Sequence, residues 1–197
     1  DLELTVNKTL AFITGDVTIE GGAPYLSPYP YPDGANWVYT YADLYGQYGL
    51  CGIEAPVDVK VQSTESGYVD QYYNGKASSE TADIVQITGS GEVPGIDFAL
   101  DQGERIEGNV RDVHGRPLSS VSVYAQSEVT FDSKSASTDL YGDYRLSGLV
   151  PGNYTLYANR SNYYQEYFDD KPFYDNADIV SVAMGVPTTG IDFQIGI

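Results

Sequence analysis

Four short blocks occur twice in this chain, in the same order and at nearly constant separation. Phe12-Ile13-Thr14-Gly15-Asp16-Val17 returns as Arg105-Ile106-Glu107-Gly108-Asn109-Val110. Asp43-Leu44-Tyr45-Gly46-Gln47-Tyr48 returns as Asp139-Leu140-Tyr141-Gly142-Asp143-Tyr144. Ala82-Asp83-Ile84-Val85 and Gly95-Ile96-Asp97-Phe98 return as Ala177-Asp178-Ile179-Val180 and Gly190-Ile191-Asp192-Phe193. The offsets are 93, 96, 95 and 95 residues, so one whole unit has been duplicated. The spacing predicts two small domains in tandem, residues 10–101 and 102–197, with residues 1–9 left over in front.

Within each copy the apolar pattern has period two, not the helical 3.6. Val121-Ser122-Val123-Tyr124-Ala125 alternates, as does Tyr154-Thr155-Leu156-Tyr157-Ala158, and turn residues bound such runs. They read as half-buried antiparallel strands. In the cleaner second copy they fall near 104–110, 118–126, 129–137, 143–147, 153–160, 178–183 and 189–195. The expected fold class is all-β, two tandem seven-stranded Ig-like sandwiches, since about 95 residues suffices for one such unit. The first copy carries an insertion, Tyr25-Leu26-Ser27-Pro28-Tyr29-Pro30-Tyr31-Pro32-Asp33-Gly34. Pro lacks the ladder N–H, so this segment is expected as a surface loop. Only Asp101-Gln102-Gly103-Glu104 joins the copies, which implies a fixed end-to-end pair, a rod segment.

The repeated residues have structural work to do. Gly46 and Gly142 suit a tight turn with positive φ, and Asp43 and Asp139 suit acceptance of backbone N–H groups there. Tyr144, Leu146, Tyr154, Leu156, Ile191 and Phe193 are expected in the core, and Pro151-Gly152 at a turn. The second copy resembles the carboxypeptidase regulatory-like family. The likeness is carried by Ile106-Glu107-Gly108-Asn109-Val110-Arg111-Asp112, Gly115-Arg116-Pro117-Leu118, Tyr141-Gly142-Asp143-Tyr144-Arg145-Leu146-Ser147-Gly148-Leu149 and Pro151-Gly152-Asn153-Tyr154. In the first copy the Pro-Gly-x-Tyr turn becomes Ala55-Pro56-Val57-Asp58. The resemblance implies a transthyretin-like (prealbumin-like) sandwich and a secreted or cell-surface setting. It implies an accessory domain with no catalytic residues and no cofactor. Related pilin-type sandwiches crosslink a first-strand Lys to a last-strand Asn. Here 12–17 and 105–110 contain no Lys, and Asp97 and Asp192 stand in the last strands, so no such bond is expected.

Charge narrows the partners. With 28 acidic and 10 basic residues the net charge is −18, which disfavours nucleic acid and anionic membrane surfaces. No apolar run is long enough for a membrane helix, so no membrane insertion is expected, and Asp1-Leu2-Glu3-Leu4 does not read as a signal peptide. The one histidine, His114, sits in a turn composition, so a Ser-His-Asp or multi-histidine zinc site has little to build on. Paired-carboxylate chemistry survives the count. Cys51, the one cysteine, reads as a small half-buried filler or as one half of an intermolecular disulfide.

The remaining candidates are surface features. Asp169, Asp170, Asp175 and Asp178 form an acid-rich stretch that could draw calcium or simply face solvent as a rim. Tyr29, Tyr31, Trp37 and Tyr39 in the first copy, and Tyr163 and Tyr164 in the second, form aromatic clusters. Such clusters suit glycan or protein contacts, and equally suit capping of a sandwich. Asn7, Asn153 and Asn159 head Asn-x-Ser/Thr triplets and are N-glycosylation candidates. Leu2, Leu4 and Val6 alternate in a segment that exceeds two closed sandwiches by one strand. It is either a relic of a preceding repeat or a donor strand for a neighbouring subunit. The functional expectation is a non-catalytic extracellular element of a stalk, sheath or filament, self-associating or flanked by further repeats. The alternative is a carbohydrate-binding module in which Trp37 and nearby tyrosines stack on sugars.

Overall fold

The computed structural model of the chain describes residues 9–19, 23–24, 31–33, 38–55, 57–63, 67–129 and 133–197. Its contacts divide the chain into two compact units, the division falling between Gln102 and Gly103. Every regular element but one is a strand, the exception being a single 3₁₀ turn, Tyr174–Asn176.

Unit 1 contains β1 (Thr9–Ile19), β2 (Ala23–Pro24), β3 (Tyr31–Asp33), β4 (Gln47–Ala55) and β5 (Val57–Ser63). It continues with β6 (Gln71–Tyr72), β7 (Val85–Ile87), β8 (Gly91–Val93) and β9 (Phe98–Leu100). Unit 2 contains β10 (Glu104–Asp112), β11 (Ser122–Ser127), β12 (Ser133–Ser137), β13 (Asp143–Leu149) and β14 (Gly152–Asn159). It ends with β15 (Glu166–Tyr167), β16 (Ile179–Val182), β17 (Thr188–Thr189) and β18 (Phe193–Ile195).

The two units repeat one topology. In unit 2 one sheet has β10 between β13 and the pair β17 and β18, and the facing sheet runs β12-β11-β14-β15 with β16 also on β14. In unit 1, β1 sits between β4 and the pair β8 and β9, while β5 carries β3, β6 and β7. Alternation along the strands sends one face of each sheet inward. Ile106, Val110, Val123, Ala125, Leu146, Leu156, Phe193 and Ile195 fill the second core, and Ile13, Val17, Leu50, Ile87, Phe98 and Leu100 the first. The side chains expected inside, Tyr144, Leu146, Tyr154, Leu156, Ile191 and Phe193, are all buried.

Four details differ from the sequence expectation. The closing strands are not antiparallel: β8 and β9 run parallel to β1, and β17 and β18 parallel to β10. The chain reaches that edge by crossing over from the facing sheet, and so arrives in the direction of the first strand. The strand expected at 189–195 is broken in two around Gly190, which has φ 77°. Part of the Tyr-Pro insertion is strand after all. Tyr31–Asp33 pairs with β5, and at the edge of the described ladder the missing N–H of Pro32 costs little. Finally, the strand expected from 118 starts at Ser122, because Leu118 N–H turns back to the Val110 carbonyl and Ser120 is left-handed at φ 57°.

Candidate functional site

The repeated blocks converge on one polar latch in each unit, where the first strand, the hairpin strand and the last strand meet. The Tyr48 hydroxyl donates to the Ile96 carbonyl at 2.6 Å, and the Tyr144 hydroxyl to the Ile191 carbonyl at 2.6 Å. Each ring lies over a glycine of the first strand. A Cβ on Gly15 would stand 2.0 Å from the Ile96 oxygen, and one on Gly108 1.8 Å from the Ile191 oxygen. Only glycine lets the last strand approach so closely. Burial pushes both phenols well above their ordinary pKa, and the Asp97 or Asp192 charge adds to it. They are fixed donors with no role as acids at neutral pH.

The carboxylates around the latch serve the backbone. Asp97 Oδ1 accepts the Asp16 N–H at 2.9 Å, and Asp192 Oδ1 the Asn109 N–H at 2.8 Å. Asp43 Oδ1 accepts the N–H groups of Tyr45 and Gln47, and Asp139 Oδ1 those of Tyr141 and Asp143. The turn glycines Gly46 and Gly142 have φ 82° and 81°. In unit 2 an open cleft of about 680 Å³ lies against this latch, bordered by Glu107, Asn109, Asp139, Asp143 and Asp192. Glu107 is held by Arg105 and Arg145 at 3.1 and 2.8 Å, and Asp143 by the Asn109 side-chain amide at 2.6 Å. The acidic lining is therefore consumed by the fold. His114 is exposed and belongs to the turn closed by Asp112, which takes the N–H groups of His114 and Arg116 and the Arg116 guanidinium. Those donors, the Arg116 N–H foremost, hold the Asp112 carboxyl down to about 2.

A different surface has the makings of a contact site. On the outer face of the second sheet of unit 2, Tyr124, Tyr157, Tyr167 and Tyr174 form a continuous row. Tyr124 and Tyr157 face each other across paired strands, centroids 4.8 Å apart and planes 13° apart. Tyr157 meets Tyr167 at 5.5 Å, and Tyr167 meets Tyr174 edge-on at 6.0 Å. Gln165 Nε2 donates to the Tyr167 oxygen at 3.0 Å, and the Tyr174 hydroxyl reaches Glu128 at 3.4 Å. The sequence reading missed this row because it counted tyrosines by proximity in the chain. The signal was available in the alternation, which places Tyr124 and Tyr157 opposite the buried Val123, Ala125, Leu156 and Ala158.

The other candidate residues are dispersed. Tyr164 and Tyr39 are exposed, whereas Tyr163 packs against the core with the Arg160 guanidinium 5.3 Å above its ring. Tyr163 thus caps the sandwich and offers little free surface. Leu2, Leu4, Val6, Asn7, Tyr29 and Trp37 lie outside the described residues, as does the side chain of Tyr31. Asn153 and Asn159 are exposed near the two ends of β14, bonded to Ser181 and Gln165 respectively. The acidic stretch does not gather on one point. Asp169 and Asp178 flank the Lys171 ammonium at 3.6 and 3.4 Å, and Asp170 bonds to Glu166. The Asp175 side chain is outside the described set. Among the described residues no three His, Cys, Asp or Glu side chains are placed to hold a metal ion. Cys51 is exposed, contrary to the filler expected. It flanks Gly52 (φ 83°), the extra residue of a bulge opposite Ala11 and Phe12, and the bulge rotates its side chain off the core face.

Residues 105–195 match the carboxypeptidase regulatory-like domain family. The second unit carries this domain. The match spans nearly all of the regulatory-like unit, and the resemblance read from its turn and hairpin residues agrees with it. No curated protein matches the chain in sequence. Among solved structures, the Bacillus anthracis TIE protein is 13% identical at TM-score 0.38, over 95% of this chain. A streptococcal ancillary pilin is 10% identical at TM-score 0.40, over 96% of this chain. BcpA, the major pilin subunit of Bacillus cereus, is 7% identical at TM-score 0.37, over 95% of this chain and 99% of its own. The chain spans 34% of the first of these proteins and 63% of the second.

Proposed function

We propose that this chain is a non-catalytic structural segment of an extracellular, cell-surface assembly, its two sandwiches serving as repeated building units. The observation that carries this reading is the duplicated latch. The residues repeated between the units are spent on backbone hydrogen bonds, a close glycine approach and core packing. Duplication has thus preserved a way of closing a sandwich and no exposed reacting group. The acidic surface keeps such units from aggregating indiscriminately, since a net charge of −18 is strongly self-repelling. Assembly by strand addition through Leu2, Leu4 and Val6 belongs to this proposal, because an added strand satisfies an open sheet edge with main-chain bonds. The test is concentration-dependent self-association of the chain, followed by light scattering and electron microscopy, with and without residues 1–7. Fibres that vanish on deletion support strand addition. Assembly unchanged by the deletion removes that part, and a protein that stays monomeric at high concentration overturns self-assembly.

The tyrosine row supports a second reading, a glycan-contact face on unit 2. Amphipathic rings offer contact area at low entropic cost, and Gln165 supplies a polar neighbour. Binding on a glycan array that Tyr157→Ala abolishes and Tyr39→Ala leaves intact is the result expected of that role.

A further inference from the structure

The two units solve one local problem with different chemistry. In each, a two-residue strand leads into a tight hairpin and its first residue reaches the outer edge of the last strand. In unit 1 that residue is Gln71. Its Nε2 donates to the Ala99 carbonyl at 3.1 Å and its Oε1 accepts the Ala99 N–H at 3.3 Å, so one amide satisfies both backbone groups. The equivalent pair in unit 2 is Glu166 and Gln194. The Gln194 N–H donates to Glu166 Oε1 at 3.4 Å, and the other Glu166 oxygen shares a hydrogen bond with Asp170. A carboxylate can only accept. A carboxylic acid can accept with one oxygen and donate with the other, as the Gln71 amide does.

We propose that Glu166 is a proton-operated clasp, which when protonated ties the hairpin of β15 to the last strand and when ionised releases it. The surroundings favour this assignment. Burial, with the Asp170 charge as a lesser cause, pushes the Glu166 carboxyl up to about 7, against the pull of the Gln194 N–H. Among the described residues no cation pairs with it. On its own hairpin Lys171 is turned to Asp169 and Asp178, and on β10 the Asp112 carboxylate is taken by Arg116. From β14 the titratable neighbour is Tyr157, and next to β18 Asp192 is bonded to the Asn109 N–H. Because the native carboxyl holds its proton more tightly than a free one, the clasp is closed below the ordinary carboxylate range. It is lost as pH rises through about 7. The hairpin also carries Tyr167 and Phe168, whose rings contact Tyr157 and Phe193. Release of the clasp therefore loosens one end of the tyrosine row.

The test is amide hydrogen exchange of the full chain between pH 5 and 8, corrected for the intrinsic rate. Protection of Tyr167 and Lys171, which bond to each other across the turn, is expected to fall about tenfold as pH rises. The matching hairpin, Tyr72 to Lys76, serves as the control in the same sample and should not change. In Glu166→Gln, which installs the residue unit 1 already uses, protection should be flat. A flat wild-type profile, an equal fall in unit 1, or a fall that persists in the Gln variant overturns the proposal. Should the variant not fold, a carbon-13 titration of the Glu166 carboxyl in the wild type decides. A midpoint near 7 supports the clasp and one in the ordinary carboxylate range overturns it.

Discussion

Unit 1 and unit 2 share a topology and a latch, yet around the small hairpin they diverge residue by residue at constant offset. Unit 1 has Gln71, Asn74, Gly75 and Asp83 where unit 2 has Glu166, Asp169, Asp170 and Asp178. Asn74 and Gly75 sit at φ 66° and 70°, and the Asn74 amide donates to Asp83 at 2.8 Å. Asp169 and Asp170 adopt φ 63° and 58°, and because two aspartates cannot bond each other directly, Lys171 stands between Asp169 and Asp178. The geometry is thus indifferent to charge, while the balance that holds it is not. Unit 1 is neutral and pH-insensitive at this hairpin, and unit 2 has made the same bend out of titratable groups.

The latch is what the units have in common, and it should break alike in both. Gly108→Ala places a methyl against a backbone oxygen that cannot rotate away, and should cost unit 2 about 3 kcal/mol or more. Gly15→Ala should do the same to unit 1, which calorimetry would show as a lowered transition in one unit at a time. A loss confined to one of the two variants would mean the latch is not equivalent. Tyr144→Phe keeps the ring and removes one buried donor, so about 1–2 kcal/mol is expected, with Tyr48→Phe matching it. Tyr154 offers an asymmetric control. Its hydroxyl donates to Val150 at 2.8 Å to close the Pro-Gly turn, a bond unit 1 cannot make because Val59 stands at the matching register.

How far these features could be read from the sequence depended on the range of the interaction. Gly46, Gly142, Asp43 and Asp139 were legible because their partners lie within four residues. Period two revealed which side chains go inward. It did not reveal that the last strand runs parallel to the first, since alternation carries no strand direction. Nor could it show that Tyr144 reaches across 47 residues to a carbonyl broken out of the ladder by Gly190. The tyrosine row was hidden for a related reason. Its members come from two strands, a short hairpin and a 3₁₀ turn, and only their pairing brings them together. Tyr163 and Tyr164, adjacent in sequence, were more conspicuous and proved to face different surroundings.

The smallest effect isolates the hairpin itself. Asp170 occupies the second left-handed position of the turn, where unit 1 has Gly75. A side chain at such φ costs about 1–2 kcal/mol, whereas glycine pays only the greater freedom of its unfolded chain, about 0.4–1 kcal/mol. Asp170→Gly should therefore stabilise unit 2 by about 0.5–1 kcal/mol, a sign opposite to that of nearly every other substitution in the strands. The reciprocal Gly75→Asp should destabilise unit 1 by a similar amount. Asp170→Gly also removes the acidic neighbour of Glu166, so its gain should grow as pH rises, when that carboxyl ionises beside an ion no longer there. A gain that is the same at pH 5 and pH 8 would assign the whole difference to backbone strain. A gain confined to the higher pH would assign it to charge, and the two units would then differ at this bend in electrostatics alone.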